Sequence, residues 1–162
     1  VTAITFFVPG VPVAQPRQRH RVVVGRGGKA YATNYTPKDA PVNDYKEAAR
    51  IAAWRAMGRN APLNVPVGVS VEFVFPRPKS LTRKRGNPRS WKGNGEDVDN
   101  LSKSLFDALS GVVFDDDCRV AMAWVIKCVA GDGDRVGTRV KVRALDPAEV
   151  DLFTEGTEGE TS

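Results

Sequence analysis

The sequence predicts an α+β fold, a single domain in which two helices pack on a small mixed β-sheet that carries basic loops. Three observations lead to this reading. Four runs rich in β-branched and aromatic residues, at 2–8, 67–75, 119–129 and 138–145, read as strands. Two segments, 43–58 and 100–110, repeat apolar residues at three- and four-residue spacing, the period of an amphipathic helix. The chain has 162 residues, 41% hydrophobic and 27% charged, which suits one domain with a real core.

Residues 2–8 form the expected first strand, and Pro9-Gly10-Val11-Pro12 ends it. No acid follows before Tyr35, whereas Arg17, Arg19, Arg21, Arg26 and Lys29 supply five positive charges. Gly25, Gly27 and Gly28 let this segment bend as a hairpin. His20, the single histidine, reads as a surface or phosphate-contacting group rather than a catalytic base. In the helix at 43–58, Asn43 is the expected cap. Tyr45, Ala48, Ala49, Ala52 and Ala56 share one side, broadened by Ile51, Trp54 and Met57.

The strand at 67–75 alternates Val67, Val69, Val71, Phe73 and Phe75 against Gly68, Ser70 and Glu72. Residues 76–94 form a second acid-free segment, holding Arg77, Lys79, Arg83, Lys84, Arg85, Arg89 and Lys92 around Trp91. Such a loop is expected to grip phosphates rather than fold regularly, with Trp91 able to stack on an unpaired base. The strand at 119–129 turns at 131–133 and returns at 138–145 with Arg139, Lys141 and Arg143 on one face. Residues 146–162 carry six acids and no base, an acidic tail expected to be mobile beyond a domain of 1–145.

Net charge is +5, but all 24 Lys and Arg lie in 1–145 against 13 acids, a net of +11 there. A basic domain of this kind has nucleic acid as its expected partner. The longest apolar runs are far too short to span a membrane, and no secretory signal is expected. Cys118 and Cys128 would lie too far apart on one strand for a disulfide, so a reducing cytoplasm is expected. With one histidine, a structural zinc site is disfavoured.

Against this basic background, two acidic clusters bracket the second helix: Asp97/Asp99 and Asp115/Asp116/Asp117. Carboxylates this close repel one another unless a cation or solvent intervenes. Oxygen-only ligands select a hard cation, Mg²⁺ first and Mn²⁺ as its substitute. Asp97 and Asp99 alternate, so they project the same way while the chain is extended. Asp99 is the expected N-cap, Leu101, Leu105, Ala108 and Leu109 form the apolar stripe, and Lys103 lies one turn beyond Asp99 on the same face. Gly111 ends this helix and permits the second cluster to fold back towards the first.

Glu-Asp-Val-Asp-Asn-Leu-Ser-Lys, then Phe-Asp-Ala-Leu and Phe-Asp-Asp-Asp-Cys-Arg-Val, resembles the core signature of the RusA family of Holliday junction resolvases. The match is close over about 30 residues. It implies a RusA-like fold and Mg²⁺-dependent hydrolysis of four-way DNA junctions by a homodimer, in recombination and repair, without an organic cofactor. Residue by residue, it implies metal-binding carboxylates at Asp97, Asp99 and Asp117, with Asp116 beside them. Asp97, Asp99, Asp117 and Lys103 would be catalytic. Lys127 would contact DNA together with Arg17, Arg19, Arg21, Arg83, Lys84, Arg85 and Arg89. Asp115 makes a third consecutive aspartate, which leaves open which member of the triplet is the ligand.

Asp-x-Asp also occurs in sugar-nucleotide transferases and Toprim enzymes, but the first usually need a larger chain and Glu72 sits mid-strand, unsuited to the second. An EF-hand fails for lack of the central Gly and terminal Glu. Asp107 reads either as a supporting group or as a plain partner of Lys103. Two readings stay open beside junction resolution: a non-catalytic DNA-binding protein, and a nuclease directed to flaps or forks.

Overall fold

The computed structural model describes residues 3–16, 19–35, 40–83 and 85–153. Its centre is a five-stranded mixed sheet with two helices, as the hydrophobic patterning predicts. The strands are β1 (Ile4–Pro9), β4 (Val67–Phe75), β5 (Ser90–Trp91), β6 (Val120–Val129) and β7 (Gly137–Ala144), in the order β1-β7-β4-β6-β5. Among the described residues, β2 (Arg19–Val24) and β3 (Ala30–Tyr35) pair with each other and with no other strand. Among the described strand pairs, β4 with β6 is the parallel one. A parallel pair needs a crossover. Here residues 76–119 make it, and they contain β5 and helix α2 (Val98–Leu109).

Period-two patterning sends Val67, Val69, Val71 and Phe73 of β4 into the core, each at most 1% exposed. They meet Leu101, Leu105, Ala108 and Leu109 of α2, all fully buried as the helical spacing predicts. Burying each leucine contributes about 1.5–3 kcal/mol. Val113 and Phe114, just past the helix, are also fully buried. They clip the return chain to the loop before β4, where Asp115 N–H donates to Leu63 O at 3.0 Å. The opposite sheet face stays open, with Trp124 60% and Trp91 78% exposed.

Helix α1 spans Pro41–Met57 and starts earlier than expected. Ala40, not Asn43, is the N-cap, because Pro41 presets φ for the first turn and lacks the N–H that would go unpaired. Its buried stripe is Val42, Tyr45, Ala49, Ala53 and Met57. Ile51, Trp54 and Ala56 are exposed rather than part of that face. One side of the helix packs on β1 and α2, and 3.6-residue geometry turns those three away. The buried Tyr45 hydroxyl meets Thr138 Oγ1 at 2.9 Å, and burial pushes the phenol up to about 12.

The segment 76–94 is more regular than expected, holding a 3-10 turn at Lys79–Leu81 and the edge strand β5. At the C-terminal end, Pro147–Phe153 forms a 3-10 helix, and Arg143 binds both oxygens of Glu149 at 2.8 Å. No helix among the described residues is long and apolar enough to cross a membrane.

Candidate active site

The first acidic cluster sits at the start of α2. Asp97 is the N-cap and Asp99 already lies in the first turn, so the extended Asp-x-Asp arrangement expected from the sequence does not form. The helix begins two residues early because the Asp97 carbonyl accepts Leu101 N–H at 3.0 Å, which draws Val98 and Asp99 into the first turn. Asp97 makes no side-chain cap bond; its nearest donor is Asn100 Nδ2 at 3.5 Å. Asp99 and Lys103 are exposed, and their side chains bond to none of the described residues. A carboxylate at a helix N-terminus is favoured by the helix dipole without being consumed by it.

The second cluster divides its labour. Arg119 Nε and Nη2 donate to Asp115 at 2.8 and 3.0 Å, and this pairing holds the Asp115 carboxyl below the ordinary carboxylate range. Asp116 Oδ1 accepts Cys118 N–H at 2.9 Å and caps the 3-10 turn Asp117–Arg119, which likewise lowers its pKa. Asp117 is exposed and forms no ion pair among the described residues. The 3-10 turn lies against α2 and follows the bend at Gly111, whose φ of +77° an L side chain rarely adopts.

Among the described residues, no three or more His, Cys, Asp or Glu side chains gather closely enough to hold a metal ion. The structure thus brings the acidic clusters onto neighbouring elements without forming an all-protein cage. Mg²⁺ is ordinarily held by one or two carboxylates plus substrate phosphates. The uncommitted Asp97 and Asp99 fit that mode. Two further oxygens near this turn, Gln15 Oε1 and Glu96 Oε2, are buried without a hydrogen bond, although Lys92 Nζ stands 3.5 Å from the second.

Lys127, near the end of β6, donates Nζ to Glu96 O at 2.6 Å and Asn94 O at 3.2 Å, tying the strand to the segment that enters α2. On the other side, Gln15 N–H donates to Asn100 O at 2.9 Å and Ser104 Oγ to Val13 O at 2.7 Å. These bonds lay residues 13–15 along α2, running towards the end of the helix that carries Asp97. Asp107 pairs with Lys46 of α1 at 3.0 Å, not with Lys103, and joins the two helices.

Of the expected DNA contacts, Arg83 and Arg85 are exposed in the 76–94 loop. Arg89 is committed to Glu72 and, at 2.9 and 2.7 Å, to Asp134. Arg19 and Arg21 lie on β2, whereas Arg17 and Lys84 fall outside the described residues. Sequence reasoning missed Asn87, Asp132 and Asp134, which anchor the loop. The one signal available was a turn with two acids in a chain whose long loops have none.

The model of the endodeoxyribonuclease RusA family matches residues 9–143. YqaN of Bacillus subtilis (strain 168), described as uncharacterized, is 30% identical over 123 residues, 72% of this chain and 81% of its own. The matched span takes in both acidic clusters, Lys103, Lys127 and every strand from β2 to β6, and on that breadth the chain belongs to the RusA endodeoxyribonuclease family.

Proposed function

We propose that this protein is a Mg²⁺-dependent endonuclease that resolves four-way DNA junctions by paired phosphodiester hydrolysis, acting as a homodimer. The carrying observation is a pair of carboxylates, Asp97 at the N-cap of α2 with only Asn100 Nδ2 at 3.5 Å and Asp99 in the first turn, with Lys103 one turn on. Neither Asp99 nor Lys103 bonds to another side chain among the described residues. The basic segment 76–94 leads into that turn. Asp97, Asp99, Asp117 and the remaining oxygen of Asp116 would hold Mg²⁺, or Mn²⁺ in its place, with DNA phosphate completing the shell. When bound, the ion supplies an activated water and neutralises charge on the departing oxygen.

The chain's own groups do the rest. Lys103 orients the attacking water or stabilises the pentavalent phosphate. Lys127 holds the approach to Asp97 in register with β6 and stands beside the scissile strand. Arg83 and Arg85, with Lys84 between them in sequence and Arg17, Arg19 and Arg21 of the N-terminal segment, neutralise phosphates on the junction arms. Two-fold symmetry of the dimer would present one site to each of two opposed strands. No covalent enzyme intermediate is required.

Cleavage of a synthetic four-way junction, compared with linear duplex and flap and with Mg²⁺ present or omitted, tests this reading. Asp97→Asn, Asp99→Asn and Asp117→Asn should each abolish cleavage while leaving junction binding intact or tighter, because a metal ligand disappears and a charge repelling phosphate goes with it. Near-normal Mg²⁺-dependent cleavage by any of them removes that residue from the site. Asp115→Asn should be mild, since its carboxylate serves Arg119. Preferential cleavage of the flap would move the substrate away from junctions while keeping the chemistry.

A further inference from the structure

The segment 76–94 ends where Asp97 begins, and it is fastened along its length. Arg77 Nε donates to Ala130 O at 3.1 Å, and its Nη2 reaches Pro88 O. Asn87, 8% exposed, closes the loop tip on itself: Arg83 N–H donates to its Oδ1 at 2.7 Å and its Nδ2 donates to Arg83 O at 3.0 Å. The same side chain and its own N–H donate to the two oxygens of Asp132 at 3.0 and 2.9 Å, while Asp132 N–H returns a bond to Asn87 O at 2.8 Å.

One step further on, Asp134 grips Arg89 through both oxygens and accepts Gly131 N–H at 2.8 Å. Arg89 also reaches Glu72 on β4, which binds Arg139 of β7. The two backbones lie so close that a Cβ on Gly131 would stand 2.6 Å from Arg89 N and 2.9 Å from Asn87 O. β5 then pairs Ser90 and Trp91 with Val129 and Cys128 before Lys127 takes over. At the tip, the side chains of Arg83 and Arg85 are exposed.

We infer that Asn87, Arg89, Asp132 and Asp134 are positioning residues: the acidic β6–β7 turn is a latch that aims the loop's cations at the DNA strand entering the Asp97 site. This rests on the nuclease reading for what the loop is aimed at. Carboxylates in a turn of a DNA-binding protein repel phosphate if left bare, whereas here each is consumed by the loop it holds. Both acids sit below the ordinary carboxylate range, Asp134 through Arg89 and then Gly131 N–H, Asp132 through the Asn87 backbone N–H and side chain. A loop already ordered before DNA arrives spares the ordering cost that binding otherwise carries.

Asn87→Asp sets a carboxylate against Asp132 and removes the amide donor; Asp132→Asn alone leaves two amides without their charge-assisted bond. The double variant Asn87→Asp/Asp132→Asn rebuilds the pair with its polarity reversed, although Arg83 O loses the amide donor of residue 87. Hydrogen exchange of amides 83–91 should rise in both single variants and fall part of the way back in the double. Kd for a synthetic four-way junction in Ca²⁺ should rise roughly tenfold in the single variants and recover in part in the double. Turnover at saturating junction with Mg²⁺ should stay within about twofold throughout, because no group at the carboxylates is touched.

A loop that opens without any change in Kd overturns the latch, as does a weakened Kd that the double variant leaves no better than the single variants. Equal falls in turnover and affinity would also overturn it, placing the damage at the carboxylates. If wild type binds the junction and responds as described but cleaves nothing in Mg²⁺, the latch stands and the nuclease reading falls. A wild type that binds no DNA removes both.

Discussion

Two segments of this chain share a basic, acid-free composition and have entirely different structures. The N-terminal one, through β2 and β3, and the one at 76–94 are both free of acids and rich in Arg, Lys and Gly. The first is a hairpin paired, among the described residues, only with itself, and Val22, Val24 and Tyr31 are 68%, 66% and 53% exposed. A lone two-stranded hairpin is marginally stable in water. The second lends two residues to the main sheet and is bonded to the β6–β7 turn, to Ala130 and to Lys127. What separates them is the neighbour each finds. A sheet edge and an acidic turn lie beside the second, and cations with no counter-charge of their own become ordered by borrowing one.

Glycine substitution gives the largest expected contrast. Gly131→Ala places a Cβ against backbone atoms that cannot rotate away, and overpacking of this kind costs about 1–3 kcal/mol. Gly28→Ala meets no atom within 4 Å and suffers only its φ of +77°, a local strain of about 1–2 kcal/mol. Thermal melts should therefore show a lower Tm for Gly131→Ala and an unchanged main transition for Gly28→Ala. Equal shifts would mean that the hairpin is as integrated as the loop.

Charge removal comes next. Arg83→Ala/Arg85→Ala and Arg26→Ala/Lys29→Ala each take away two cations, and every phosphate left unneutralised should lower the log K against log salt slope by about 0.9. The anchored pair should cost more affinity at a given salt concentration, because its cations are already positioned. A larger effect from the hairpin pair would show that it, and not the anchored loop, carries the main grip on DNA.

The smallest effect is on pH. Asp134 faces Arg89, with Arg139 and Cys128 near enough to act on it and Glu72 sharing the same guanidinium, and its folded pKa is depressed. A depressed carboxylate contributes stability that is present above its unfolded value of about 3.9 and lost as pH falls towards the folded one. Asp132 shifts the same way. Amides 83–91 should lose protection below about pH 4, after correction for intrinsic exchange. The hairpin, having no acid of its own to protonate, should show no such step. Loss of protection in both at one pH would point to global unfolding instead.

Much of the molecule was determined by sequence alone. The α2 stripe, the alternation in β4 and the acidic clusters depend on periods of 3.6 and 2 and on residue chemistry, which are local properties. Membership of the family was readable for the same reason, since its signature is contiguous. Helix starts were less legible: Pro41 and the Asp97 carbonyl each recruited residues that side-chain capping rules left outside. Only the tertiary structure decided which acids are spent and which are free. Asp107 looked like a partner of Lys103 until Lys46, 61 residues away, took it, whereas Asp115 finds Arg119 four residues along the chain. The latch was invisible for the same reason, because Asn87 and Asp132 stand 45 residues apart. Pairing over such a separation follows from which backbones the sheet brings together, and no local pattern encodes that.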